Sequence, residues 1–299
     1  MKPLIEQIPY IKNCKEMKQI HKGLSLDRKY LVQMADTAQK LLLRLFDLKE
    51  LPAKKEEYAI LQKMQKDSIK CSVPLAIGEL DNQGYLITSY IEGEDAKDEI
   101  VKYSSEEQFQ IGVEAGRELK KIHRIIAPEQ ITSWYTRKAE KHQNYINAYL
   151  TCGVKVKNDE KLIRFIDENI HLMKNRSNLL QHDDYHLDNI IVQDKSIAGI
   201  IDFERFDWGD PIHEFLKIGI FSSEISIPFS IGQIKGYFNG DPDEAFWKLY
   251  SLYLAMCVFS SVIWTINVIP HDLPNMPAKM DRFLTDHDYF DQIMPSWYK

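Results

Sequence analysis

Apolar positions along the first ninety residues alternate as in β-strands, whereas later ones recur every three to four residues, as on one face of a helix. The alternation predicts strands over 30–34 and 41–46, joined by a turn at 36–39, and further strands over 75–79 and 84–91. A helix is predicted over 5–20. Another is predicted over 54–65, behind Pro52, with Tyr58, Leu61 and Met64 on one face. Beyond Gly93 the period changes. A helix over 105–126 starts at Ser104 or Ser105, with Glu107 and Gln108 three residues on as a capping box. Helices over 134–150, 159–173, 215–221, 231–238 and 246–268 follow. The pattern is α+β: a small β-rich lobe, 1–91, then a larger, mainly helical lobe, 92–299.

One stretch interrupts the helices. Between 179 and 214, two short apolar runs, 190–192 and 198–201, are joined by a small turn and resemble a hairpin. A dense polar segment, His182 to Asn189, leads into it, and Asp202 closes it. Asp184, Asn189 and Asp202 are thereby expected at the mouths of its strands. Two carboxylates and an amide there could hold Mg²⁺, because hard cations take oxygen ligands. A competing pattern is the alternation of His182, Asp184, His186 and Asp188. On a strand it would put four metal-ligating side chains on one face, as in a zinc hydrolase.

Composition narrows the choice. With 299 residues and 44% hydrophobic content, the chain can bury a sizeable core. Cys14, Cys71, Cys152 and Cys257 lie far apart with no C-x-x-C, which fits a reducing cytoplasm better than a disulfide or zinc framework. The first residues lack an apolar signal core. The run 249–270 carries no charge and is long enough to span a bilayer, but it is dotted with Tyr, Ser, Thr and Asn, so a buried core helix is expected and no membrane partner. Residues 1–91 hold 15 Lys and Arg against 11 Asp and Glu, a net +4, and the remainder holds 23 against 33, a net −10. A phosphate backbone needs a basic footprint, so nucleic acid is disfavoured; the acidic part would attract a cation.

Three features of the first lobe remain open on their own. Gly23-Leu24-Ser25 could close over a phosphate or be an ordinary turn. Arg44 is the lone charge in the run 41–46 and could point to water or bind an anion. Glu57 could complement a helix dipole or reach a cation on the neighbouring strand. The central stretch joins them into one picture. His182, Asp184 and Asn189 form H-x-D-x-x-x-x-N, and Asp202 follows on a short strand, an arrangement protein kinases use.

The chain resembles the aminoglycoside phosphotransferase family, antibiotic-resistance and small-molecule kinases of protein-kinase-like, bilobal fold related to choline kinases. The resemblance rests on His182-Asp183-Asp184 with Asn189, on Ile201-Asp202-Phe203 and on Gly209-Asp210-Pro211. It extends to Gly23-Leu24-Ser25, the strand around Arg44, Glu57, and the segment from Ile87 to Gly93. It implies ATP and Mg²⁺ as cofactors. Asp184 would be the catalytic base or hydroxyl-orienting group, and Asn189 and Asp202 the metal ligands. Arg44 would contact the phosphates and pair with Glu57, Ser25 would meet the phosphates, and the backbones of Ser89 and Ile91 would bind the adenine. Asp210 would brace the loop. Asp183 departs from the family's usual glycine, and Arg44 from its frequent lysine. The expected acceptor is a small, cationic hydroxyl substrate of aminoglycoside type, with Asp183, Asp207, Glu214, Asp286, Asp288 and Asp291 as candidate partners for its ammonium groups. A macrolide, choline, a sugar or an amino-alcohol stays open, as does a non-catalytic binding role. A monomer or weak dimer is expected.

Overall fold

A computed structural model of the chain describes residues 7–21, 26–37 and 39–299. Its contacts divide it into two compact units. One holds the chain up to Glu94 together with Ile190–Glu204; the other holds Asp95–Asn189 and Arg205–Lys299. The hairpin that a boundary at 91/92 assigned to the second lobe therefore packs with the first.

The first unit is built on a five-stranded antiparallel sheet of order β1-β2-β3-β5-β4: β1 Cys14–Ile20, β2 Arg28–Met34, β3 Lys40–Asp47, β4 Pro74–Leu80 and β5 Gln83–Ser89. Alternation puts Leu41, Leu43 and Leu45 of β3 on one face, in a core with Tyr30, Val32, Ile87, Ile8 and Ile11. Arg44 and Phe46 face the other way. That second face is covered by the helix Leu51–Lys66, whose buried residues Leu51, Lys54, Glu57, Ile60, Leu61 and Met64 recur at helical spacing. Over 5–20, where a helix was expected, the described residues form a short 3-10 turn, Pro9–Ile11, and the edge strand β1.

The antiparallel hairpin Ile190–Gln193 with Ser196–Ile200 completes this unit. Its turn residues Asp194 and Lys195 both have positive φ, the geometry of a two-residue hairpin turn. It docks through Ile200 N–H to the Lys70 carbonyl, 2.8 Å, and Lys70 Nζ to the Ile197 carbonyl, 2.8 Å. Gly93, at φ +134°, lies so close to the Val192 carbonyl that a side chain there would collide with it.

In the second unit the helix Ser105–Ile122 begins with the expected capping box, Ser104 and Glu107 bonding reciprocally. It stops at Ile122, four residues short of the expected end, because Ile125 and Ile126 pair with the strand Leu179–Gln181 instead. It lies against the helix Ile227–Phe238 at backbone contact: Gly112 and Gly116 on one, Gly232 and Gly236 on the other, each facing a carbonyl of its partner. The expected helix over 215–221 is a 3-10 turn, Pro211–Phe215, followed by a π-helical turn, Ile218–Ser222. The helix Glu244–Val268 is long and apolar enough to cross a membrane, and 67% of its most apolar window is buried inside the protein. The helices Trp134–Thr151 and Asp159–Asn169 flank it. A further helix, Met276–Asp286, forms in the tail, where no element was expected.

Candidate active site

The strand Leu179–Gln181 pairs with Asp207–Gly209, and the polar loop leaves its end. Buried groups hold this loop from beneath. His182 is fully buried and its Nδ1 accepts the Asp184 N–H at 3.2 Å. The Tyr185 hydroxyl donates to the Ala115 carbonyl, 2.8 Å, tying the loop to the helix Ser105–Ile122. The buried Glu214 carboxylate accepts the N–H groups of Asp183 and Tyr185, at 3.1 and 3.3 Å. Burial would raise the Glu214 pKa, but His123, His182 and the Asp183 N–H outweigh it and lower the carboxyl. Asp183 itself sits at φ +62°, a conformation glycine adopts freely and aspartate tolerates.

Asp184 projects from this brace. Its side chain keeps 21% exposure, and its Oδ1 lies 2.9 Å from Lys217 Nζ and 3.3 Å from His186 Nε2. Burial pushes its carboxyl up, but the His186 hydrogen bond and the Lys217 charge win and hold it well below the ordinary carboxylate range. Lys217 is raised in turn: burial would lower it, and the carboxylates of Asp184 and Asp183 prevail. The Asn189 amide nitrogen donates to the Asp184 carbonyl, 2.9 Å, and lies 3.3 Å from Asp184 Oδ2. Phe221, on the π-helical turn, stacks on His186 at 4.5 Å and lies under Lys217 Nζ at 5.7 Å.

A second buried network anchors the Gly-Asp-Pro segment. Asp210 accepts Arg176 through both oxygens, at 2.7 and 2.9 Å, and also the Tyr253 hydroxyl, 2.7 Å, and the Ile212 N–H, 3.0 Å. Asp210 braces and does not face solvent. Nearby, Lys138 Nζ lies 2.7 Å from His213 Nε2; burial lowers the lysine to about 8 and keeps His213 well below its usual value. Asp183 is pushed up to about 6 by burial against Lys217's opposing charge, although its side chain retains 35% exposure and water screens part of that shift. Of the acids considered as substrate partners, Glu214 is buried in the loop brace, Asp207 pairs with Arg137 at 3.1 Å and Asp291 with Lys161 at 2.8 Å.

In the first unit, Arg44 and Glu57 meet as expected, Nη1 to Oε1 at 2.6 Å. Arg44 Nε also donates to Asp27, 2.9 Å, and Nη2 to Glu204. Lys54 Nζ joins the same cluster, 2.7 Å from Asp27 and 3.2 Å from Glu204. Burial would lower the Arg44 pKa; Glu57, Glu204 and Asp27 together raise it above its ordinary value. Asp202, two residues before Glu204, is exposed, adopts φ +66° and makes no hydrogen bond or ion pair among the described residues. Ser89 spends its N–H on the Val73 carbonyl, 2.9 Å, and its hydroxyl on the Val73 N–H, 2.8 Å. Ile91 leaves its backbone groups without a hydrogen bond among the described residues. Ser25 lies outside the described residues.

A model of the phosphotransferase enzyme family matches residues 16–250. The chain belongs to this family. Solved structures similar to this phosphotransferase share its fold. A gentamicin complex of APH(2'')-IIa is 18% identical with TM-score 0.69, covering 94% of this chain and 96% of that one. ADP-bound APH(2'')-Ib is 18% identical with TM-score 0.67, covering 99% and 97%. A ternary complex of an APH(4)-Ia mutant with ADP and hygromycin B is 14% identical with TM-score 0.67, covering 95% and 98%. No curated protein matches the chain at a significant level.

Each of the two expected ligands of this phosphotransferase has an oxygen donor of the kind a hard cation takes. In the second unit Asn189 turns its amide nitrogen into the loop, which leaves its carbonyl oxygen as a donor; in the first unit Asp202 has a carboxylate without a hydrogen bond or ion pair among the described residues. The alternation of His182, Asp184, His186 and Asp188 builds no metal cluster: His182 is spent on the backbone, and no group of three or more His, Cys, Asp or Glu is placed to hold a metal among the described residues. Sequence reasoning missed Asp27, Lys54, Glu204 and Lys217. Lys54 was findable, one helical turn before Glu57 on the face that carries Leu61 and Met64. The other three meet their partners only through the tertiary fold.

Proposed function

We propose that the chain is a kinase that transfers the γ-phosphoryl group of ATP to a hydroxyl of a small molecule, assisted by Mg²⁺. The observation that carries the reading is Asp184, an ionised, partly exposed carboxylate at the open side of a loop whose other supports are buried. Phosphoryl transfer asks a protein mainly for positioning and charge. A carboxylate held below its usual range is a weak base, so Asp184 accepts a hydrogen bond from the acceptor hydroxyl, orients it, and takes its proton late. Lys217 fixes Oδ1 in that orientation. Asn189 and Asp202 would hold the cation, Ile91 and Ser89 would meet the adenine, and Ser25 and Arg44 the phosphates. Mg·ATP, when bound, supplies the phosphoryl group and the cation that offsets its charge.

For the acceptor we infer a cationic molecule of aminoglycoside type. The acid excess beyond residue 91 supports this, as do the gentamicin and hygromycin B bound by structural neighbours. Four cysteines without a disulfide among the described residues support a reducing, cytoplasmic setting. The test is ADP release from Mg·ATP over a panel of aminoglycosides, macrolides, choline, sugars and amino-alcohols. Release is expected with an aminoglycoside, and Asp184→Asn should lower it by about 10²–10⁴-fold in a chain that still folds, with a modest loss of stability from the broken Lys217 pair. Signal only with another class would replace the acceptor. Mg·ATP binding without release by any hydroxyl would replace the kinase by a nucleotide-binding protein, and near-normal turnover in Asp184→Asn would remove Asp184 from the mechanism.

A further inference from the structure

The ion cluster around Arg44 gathers more acids than cations among the described residues. Asp27, Glu57 and Glu204 surround two cations, Arg44 and Lys54. The three acids are not equivalent. The side chains of Asp27 and Glu57 are 3% and 4% exposed, and Glu57 sits on the helix that covers the sheet. Glu204 is 20% exposed and belongs to a short 3-10 turn, Phe203–Arg205, that directly follows Asp202 in its left-handed conformation. Its Oε1 receives both Arg44 Nη2 and Lys54 Nζ. A guanidinium edge and an ammonium on one oxygen are the donors that also bind a phosphate oxygen.

Adding a phosphate to this cluster as it stands would place further negative charge against three carboxylates. Like charges at such range repel strongly in a partly buried site. The least buried of the three acids, carried on a short turn, is the one that can leave, and its departure removes a negative charge before the phosphate arrives.

We propose that Arg44 and Lys54 form the subsite for a phosphate group of the nucleotide, and that Glu204 competes with that phosphate for the same two cations. This rests on the kinase reading above and adds to it. Lys54 becomes a binding residue beside Arg44, and Glu204 sets nucleotide affinity by occupying their shared subsite. Arg44 keeps Glu57 and Asp27 throughout, so its position is fixed while one edge changes partner.

The proposal is tested by equilibrium binding of three probes to the full chain: ATP with Mg²⁺, inorganic tripolyphosphate and adenosine. Glu204→Gln keeps the side chain's size and removes its charge. It should bind ATP and tripolyphosphate about tenfold tighter and adenosine unchanged, since removing a competing state raises apparent affinity for the displacing ligand alone. Lys54→Met should weaken both phosphate-bearing probes, with Lys54→Arg restoring most of the loss and a thermal melt checking that the variants fold. ATP and tripolyphosphate affinities that stay equal or fall in Glu204→Gln overturn the proposal, as does an equal change for adenosine. A wild-type chain that binds neither ATP nor tripolyphosphate overturns the kinase reading and this inference together.

Discussion

Two charged centres, one in each unit, solve opposite problems. Around Arg44 a cation is enclosed by three carboxylates; the side chains of Arg44, Lys54, Asp27 and Glu57 are all under 10% exposed, and Glu204, at 20%, is the one edge that reaches water. At Asp184 a carboxylate meets one lysine and one histidine, and both Asp184 and Lys217 keep about a fifth of their side-chain surface in water. A closed ion cluster is costly to break because its members cannot recruit water. An open one tolerates loss of a partner but depends on it for geometry. The first should therefore register in stability and the second in rate.

Replacing each cation by methionine puts that contrast to the test. Arg44→Met takes from Asp27, Glu57 and Glu204 the cation they share, and unfolding should become easier by about 3–5 kcal/mol, the usual consequence of stranding buried charge. Denaturant melts of the purified variant would measure it; a loss under 1 kcal/mol, on the order of a surface pair, would mean that water reaches the cluster and that the description as closed is wrong. Lys217→Met should behave differently. Asp184 loses the partner on Oδ1 but keeps His186 and its access to water. The expected stability change is about 1–2 kcal/mol, while turnover falls about 10–100-fold because an unanchored carboxylate no longer holds the acceptor in line. A variant equal to wild type in turnover would take Lys217 out of the positioning role.

The difference between the centres also explains what could be read from the sequence. Asp184 and Asn189 are five residues apart, and one loop brings them together, so their spacing, joined to His182 before it and the apolar run ending at Asp202 after it, pointed to them. Glu57 was legible as a carboxylate near a helix start that could reach a cation on the neighbouring strand, and the family resemblance paired it with Arg44. Glu204 is 160 positions from Arg44, and nothing local in either segment marks the pair. The same limit hid the allegiance of the hairpin 190–200, which depends on Lys70 and on the close approach at Gly93. The misreading of β1 has another cause. In Cys14–Ile20 only Cys14, Met17 and Ile20 are even half-buried, a spacing of three that imitates a helix. An edge strand pairs on one side only, so its side chains need not alternate. The helices over 105–122, 134–151 and 244–268 were legible in place but not their contacts: glycine weakens a helix, yet Gly112, Gly116, Gly232 and Gly236 are where two helix backbones touch.

The mildest of the three substitutions is Lys97→Met, which asks whether the catalytic loop is held from outside or from within. Lys97 Nζ lies 3.0 Å from Asp188 Oδ1, the residue before Asn189, with the two side chains 48% and 40% exposed. Water can replace either partner, so the pair resembles a surface salt bridge in cost. Asn189 does not depend on it: its N–H donates to the His186 carbonyl and its amide to the Asp184 carbonyl, each at 2.9 Å and both inside the loop. Lys97→Met should therefore change stability by less than about 1 kcal/mol and turnover by less than about fivefold. If the rate instead falls as far as in Lys217→Met, the loop is positioned by its surface, and the open centre owes its geometry to a contact that salt should screen. Turnover of the wild type at rising ionic strength would then decline in parallel, which separates that outcome from a local distortion caused by the methionine.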